Sequence, residues 1–314
     1  MKKFILFALA LLIGATVVEA KPKGKAPAGE CIVRIGDINV ISAKSRRWSV
    51  DNGKTTALMN WKKCREAVAD MFVECDCDIY TVHEADFPVR EDLPRLLKKR
   101  GLKLGYFWAI PNPEATNEDQ QLSNGIFFRK DRFKLSRKRT FFLSETPEEF
   151  SRGWGEKRWY RIAAACEVLD KKSGQKFFLM TTQISNRAVN SENSGALLIE
   201  REKMYNINEL PSVLAGYFDS RPNAPLATIL KGHYQDSYYK YSGKKTRGNY
   251  LSWSFDTKRL RSTNHRRSYI YVRDGKSSTC EVLSYEVHTK KYPVDGYDVY
   301  PSMVLPIITE LKIK

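Results

Sequence analysis

The sequence predicts an α/β (α+β) chain in which mixed β-sheets are covered by helices, and three observations carry that expectation. The segment from Cys31 to Val40 alternates and is rich in Ile and Val, as a half-buried strand should be. In the first part of the chain strand-like runs alternate with helix-like ones. Later the strands come in hairpin-like pairs, so the sheets must be mixed.

The elements follow in order. Trp61 to Phe72 has apolar residues at helical spacing, with Val68, Met71 and Phe72 on one side. Asp78 to Val82 reads as a short second strand, and Leu93 to Arg100 as a helix that stops before Gly101. Strand-like runs then occupy Gly105 to Ile110, Gly125 to Arg129, Ala163 to Leu169 and Lys176 to Ile184. Gly195 to Asn206, rich in Leu, Ile and Glu, reads as helix, and Ser212 to Phe218 returns as strand. Tyr269 to Val272, Thr279 to His288 and Pro301 to Lys312 close the chain as strands.

Residues 1–20 read as a secretory signal peptide: Lys2 and Lys3 precede an apolar run from Phe4 to Val18, and Val18-Glu19-Ala20 offers small residues for cleavage. Residues 21–30 form a flexible leader of mainly Lys, Pro, Gly and Ala, and residues 31–314 a single folded domain. No later apolar stretch approaches the roughly 18 residues a membrane span needs, so the expectation is an exported, periplasmic or secreted protein. The formal charge of +17, or +16 once Lys2, Lys3 and Glu19 are gone, favours anionic partners, although the basic residues are scattered and also suit plain solubility. All six cysteines lie beyond the signal. Cys75 and Cys77 fit no common zinc spacing, so the thiols are expected to be buried, or to form one bridge between neighbouring strands.

Several phrases carry the reading further. The run from Phe141 to Pro147 is followed by Gly153-Trp154 and Arg161-Ile162; Ile126 to Phe133, Gly216 to Pro222 and Val282 to Val287 add to it in order. Together they resemble exported bacterial members of the endonuclease/exonuclease/phosphatase family. The resemblance implies a DNase-I-like four-layer sandwich, two mixed β-sheets flanked by helices, with a site at one end that hydrolyses phosphoester bonds using magnesium. Asn39 matches the family's asparagine after the first strand, and Glu84 its metal-binding glutamate, here preceded by His83 in place of glutamine.

The later phrases depart from the pattern. Gln183 stands for the histidine of a Thr-His pair; Tyr217 and Asp219 replace the aspartate and asparagine of Gly-Asp-Phe-Asn. Ser268 replaces the aspartate of Ile-Asp-Tyr-Ile. The terminal Ser-Asp-His-Tyr-Pro phrase is matched by Asp298-Val299, or by a register through Asp295-Gly296 that also lacks the histidine. Neither Ser268 nor Val299 moves a proton near neutral pH, and each lost oxyanion donor costs about a hundredfold in rate or more.

The leading expectation is therefore a pseudoenzyme that binds an anionic ligand (a phosphorylated glycan, a nucleic acid or a phospholipid headgroup) through Asn39, Gln183, Asn186, Trp253 and Arg267. One alternative is a divergent hydrolase in which Glu84, Asp219 and Asp298 hold Mg2+ or Mn2+; another is a surface interaction protein using the fold as scaffold. The stretch from His233 to Arg273 interleaves tyrosines such as Tyr234 and Tyr238 with cations such as Arg266. It reads either as a ligand-stacking surface or as an aromatic hairpin edge. His83, His233, His265 and His288 fall on no family histidine and read as ordinary loop or strand residues.

Overall fold

The structure, a computed structural model, describes residues 29–43, 48–51, 56–117, 120–184, 187–241, 243, 266–302 and 304–314. The signal-like segment and all of the leader but its last two residues lie outside them. The chain opens with β1 (Cys31–Asn39), the hairpin β2 (Trp48–Asp51) and β3 (Thr56–Met59), α1 (Trp61–Cys75), β4 (Ile79–Ala85) and α2 (Phe87–Lys99). Then come β5 (Leu104–Ala109), β6 (Ser123–Arg129), β7 (Phe133–Phe142), β8 (Ile162–Asp170), β9 (Lys176–Gln183), α3 (Ala188–Tyr205) and β10 (Ser212–Tyr217). The remainder comprises α4 (Pro225–Lys231), β11 (Gln235–Asp236), α5 (Ser237–Lys240), β12 (Ser268–Arg273), β13 (Cys280–Val287), β14 (Tyr292–Val294), β15 (Tyr297–Val299) and β16 (Ile307–Ile313).

Two six-stranded sheets result, ordered β13-β16-β1-β4-β6-β5 and β11-β12-β10-β9-β8-β7. In each, one pair at the centre is parallel, β1 with β4 and β9 with β10, and the other pairings are antiparallel. Apolar residues from both sheets, including Val33, Ile35, Ile126, Val168, Leu179 and Ile270, meet in an inner core. A second core seats α1 and α2 on the first sheet, and a third seats α3 and α4 on the other. The expected sandwich of two mixed sheets between helices is thus the observed one.

Of the departures from the sequence reading, the missed strand β7 and the early start of α2 have identifiable reasons. β7 is an edge strand whose middle, Ser136 to Thr140, is exposed, with Arg137 at φ 48° where its register shifts, so no alternation marks it. α2 begins at Phe87, before its expected start, because Pro88 sits in the first turn, where a missing N–H costs nothing. The Asp86 carboxylate caps that turn, accepting from Val89 N at 3.4 Å.

At the end of the sandwich where β4 begins, Arg132 ties the two sheets together. Its guanidinium donates to Ile32 O of β1 at 2.8 Å and to both carboxylate oxygens of Asp170 in β8 at 3.1 Å. All six cysteines are buried and free, so the alternative of an interstrand bridge is not realised. Burial pushes Cys64, Cys75, Cys166 and Cys280 up to about 12, which keeps them as neutral thiols. Among the described residues no helix is long and apolar enough to cross a membrane.

Glu202 of α3 anchors the outer helical layer to the second sheet. Its buried carboxylate accepts from Asn206, Ser212, His233 and Arg273 at 2.9, 2.5, 2.9 and 2.7 Å. Burial alone would raise its pKa; the hydrogen bonds outweigh burial and hold it down at about 2. The folded-state pKa is depressed, so this stabilisation is fully present above the ordinary carboxylate range and is lost as pH falls toward 2. Glu202→Gln should cost on the order of 3 kcal/mol at pH 7 by urea titration, and the gap to the parent should narrow steadily between about pH 4.5 and 2.

Candidate functional site

The carboxyl ends of the two parallel strand pairs converge at the end of the sandwich opposite Arg132. On the first sheet Asn39 lies beside His83. On the second, Gln183, Tyr217 and Ser268 occupy adjacent positions on three neighbouring strands. Five residues singled out in the sequence, Asn39, Glu84, Gln183, Tyr217 and Ser268, are therefore brought to one end by register alone.

Glu84 joins the two halves. Its backbone is left-handed, φ 64°, where β4 shifts register against β6. The Glu84 Oε1 accepts from Gln183 Nε2 at 2.8 Å, across the gap between sheets. With its amide nitrogen turned toward Glu84, the orientation that satisfies both ends of the group, Asn39 donates to Glu84 Oε2 at 3.3 Å and to Val40 O at 3.1 Å. Burial raises the Glu84 pKa, opposed by the Gln183 hydrogen bond and the charge of Arg161.

Arg161, in the loop before β8, was quoted in the sequence only as part of a phrase and is the main residue that reading missed. It is 9 % exposed, and its guanidinium makes no hydrogen bond among the described residues. Only the Trp159 ring, 5.4 Å away, lies under it. Burial lowers its pKa, while the charges of Glu84, Glu156 and Asp219 work the other way. Its Nε is buried without a hydrogen-bond partner among the described residues, which is costly, and the carboxylates around it offset only the charge. Nothing in local sequence separates this arginine from the others; its burial requires the fold.

Asp219 is the third charged group. It too is left-handed, φ 41°, accepts from the Tyr217 hydroxyl, and lies 3.6 Å from Arg267 Nε. Burial raises its pKa against those partners. Ser268 Oγ is buried with no hydrogen-bond partner among the described residues.

His83 is not the ordinary strand residue it was expected to be. It is fully buried, its Nε2 is 2.6 Å from Asp37 Oδ1, and its Nδ1 is 2.8 Å from Asn124 Oδ1. The Asn124 amide nitrogen is committed to Ile162 O at 2.6 Å, so its oxygen faces the ring and both ring nitrogens meet acceptors. Burial works against charge on the ring, but Asp37 and the two hydrogen bonds raise its pKa and favour imidazolium. Asp37–His83–Asn124–Ile162 is thus a polar strap from the first sheet to the second.

Other expectations are corrected. Asp298 and Val299 lie in the β14–β15 hairpin, where Val299 packs with Tyr292 and Val294 in the core under α1 and Asp298 faces solvent. The segment that returns to the cleft is the next one: Ser302 Oγ donates to Asn39 O at 2.5 Å, and Val304 precedes β16. The terminal phrase therefore fits Ser302 to Pro306, with Val304 in the histidine's place, and the earlier register was displaced by the repeated Tyr-Pro. Tyr234, Tyr238 and Arg266 are interior, not a ligand surface: Arg266 forms a buried two-pronged ion pair with Asp236, and Tyr238 and Tyr269 flank its guanidinium. Asn186, Trp253 and His265 lie outside the described residues.

The magnesium or manganese implied by the resemblance finds a poor fit. Both Glu84 oxygens are met by amides, and Asp219 is held by Tyr217 and near Arg267. Asp298 is elsewhere, and among the described residues no three His, Cys, Asp or Glu side chains are grouped to hold a metal.

Two stability predictions follow from this geometry. Removing the ring from the strap leaves the buried Asp37 carboxylate with the Thr81 hydroxyl at 2.7 Å but no charge partner, so His83→Leu should cost about 3 kcal/mol in chemical denaturation, and Asp37→Asn with His83→Gln should recover part of it. A Cβ at Gly216 would lie 2.2 Å from Thr182 O, a backbone atom. Gly216→Ala should therefore force β9 and β10 apart and lower stability by about 1–3 kcal/mol, read as a fall in Tm.

No protein-family model matches the chain, and no curated protein matches it in sequence. Solved structures do match in shape. An endonuclease/exonuclease/phosphatase protein from Bacteroides vulgatus superposes with a TM-score of 0.71 at 20% identity, covering 90% of this chain and 100% of its own. The mannosyl-6-phosphatase Bt3783 of Bacteroides thetaiotaomicron gives 0.70 at 23% identity, covering 89% and 99%. The catalytic domain of human Nocturnin, solved with a bound sulfate anion, gives 0.62 at 16% identity, covering 90% and 95%. The fold of the endonuclease/exonuclease/phosphatase proteins is thus the fold of this chain.

Proposed function

We propose that this chain binds an oxyanionic ligand at the end of its sandwich and does not hydrolyse it by the metal-dependent route that the resemblance implies. The observation that carries the proposal is Arg161, a largely buried side chain whose Nε has no hydrogen-bond partner among the described residues, in the field of Glu84 of the Glu84–Gln183 bridge. A guanidinium so placed is a planar donor fork, and phosphate or sulfate is the oxyanion acceptor that suits it. Gln183 and Ser268 add neutral donors on the same sheet end. The sulfate on Nocturnin and the mannosyl-6-phosphate chemistry of Bt3783 make phosphate esters the natural first probes. The signal-like first twenty residues support an exported site of action, where a phosphorylated glycan or nucleic acid would be met.

The adjacency of Asn39 and Glu84 favours a second reading, a divergent magnesium or manganese hydrolase. Calorimetry with inorganic phosphate, mannose 6-phosphate and a 5′-phosphorylated DNA dinucleotide, run beside phosphate-release assays with either metal, separates the two. Binding without turnover, weakened at least about tenfold by Arg161→Gln in a variant of unchanged Tm, is the expected result. Turnover abolished by Glu84→Ala would establish the hydrolase instead, and neither binding nor turnover would leave the fold as a scaffold for surface interactions.

A further inference from the structure

A second concavity lies far from the cleft. β5 and β6 are antiparallel, as are β6 and β4, so β5 runs with β4. Glu84 is near the carboxyl end of β4, whereas the groove is lined by Leu104 and Tyr106 at the amino half of β5 and by Lys130 just past β6. It occupies about 570 Å³, within the range of small-molecule sites, between the last turns of α2 and the outer edge of the first sheet.

Its floor is apolar. Phe127 and Leu97 are buried beneath it, Leu102 and Leu104 are half-buried, and Tyr106 is 50 % exposed on a strand with one unpaired edge. Its rim is cationic. Arg95 is paired with Asp92, and Lys98 suits the carboxyl end of a helix, but Lys103 and Lys130 have no ion-pair partner among the described residues and no helix end to serve. Glu91 is the one acid among the lining residues.

An apolar trough ringed by uncompensated lysines complements one kind of molecule, a hydrocarbon chain ending in an anion. We propose that this groove binds a single-chain anionic amphiphile, its chain over Phe127, Leu102 and Leu104 and its headgroup between Lys98, Lys103 and Lys130. The inference is independent of the cleft and of what the cleft binds.

The test is calorimetry of the full chain with octyl, decyl and dodecyl phosphate, each below its micelle-forming concentration, beside octyl glucoside and inorganic phosphate. Affinity should rise roughly fourfold for each methylene buried until the groove is full. The triple variant Lys98→Gln, Lys103→Gln, Lys130→Gln, all surface changes, should weaken dodecyl phosphate binding at least about tenfold, and Arg161→Gln should leave it unchanged. Tyr106→Glu, which puts a like charge in the trough, should weaken it as well. Equal affinity for the neutral glucoside overturns the proposal, as does binding lost in Arg161→Gln but kept in the triple variant. Binding to anionic vesicles with none to the monomeric amphiphile also overturns it, and assigns the lysines to a lipid surface.

Discussion

The cleft depends on one buried ion pair, Asp37 with His83. Both residues are wholly shielded, so neither can trade its partner for water, and the pair fixes where β1 and β4 end relative to each other. The imidazolium then needs a second acceptor, which Asn124 supplies, and the other end of that amide grips Ile162 on the opposite sheet. Ile162 directly follows Arg161. The placement of the guanidinium is thus inherited, through three hydrogen bonds, from a charge pair on the other half of the molecule.

That inheritance changes the electrostatics of the sheet ends. In a phosphoester hydrolase of the metal-dependent kind, carboxylates are left open so that a cation can collect there. Here the Glu84 carboxylate is closed by an amide from each sheet, and positive charge is supplied by a side chain that cannot diffuse away. Arg161 stands in the field of Glu84, Glu156 and Asp219, three carboxylates around one guanidinium.

Much of this was legible in the sequence, and the parts that were not share a cause. Strands with a buried face, such as β1, β8 and β9, announce themselves by composition; β7 does not, because an edge strand with a solvated middle has no pattern to show. Asn39, Glu84, Gln183, Tyr217 and Ser268 come to one end of the sandwich because they sit at strand ends, where chain position and spatial position coincide. His83 and Arg161 were not, since their roles arise from partners 46 residues away in one case and from the lack of hydrogen-bond partners in the other. The terminal phrase was placed too early because Tyr292-Pro293 and Tyr300-Pro301 both imitate its ending, and only the contact of Ser302 with Asn39 ahead of β16 shows which segment returns to the strand ends.

The six buried thiols bear on where such a chain can be made. No covalent crosslink closes any loop, so the unfolded chain is not restrained and the native state owes its standing to packing and polar straps alone. In the folded chain every thiol is covered, so its packing does not draw on a disulfide. The demand that follows is one of order: the cysteines must be covered by their strands and helices before an oxidant meets them.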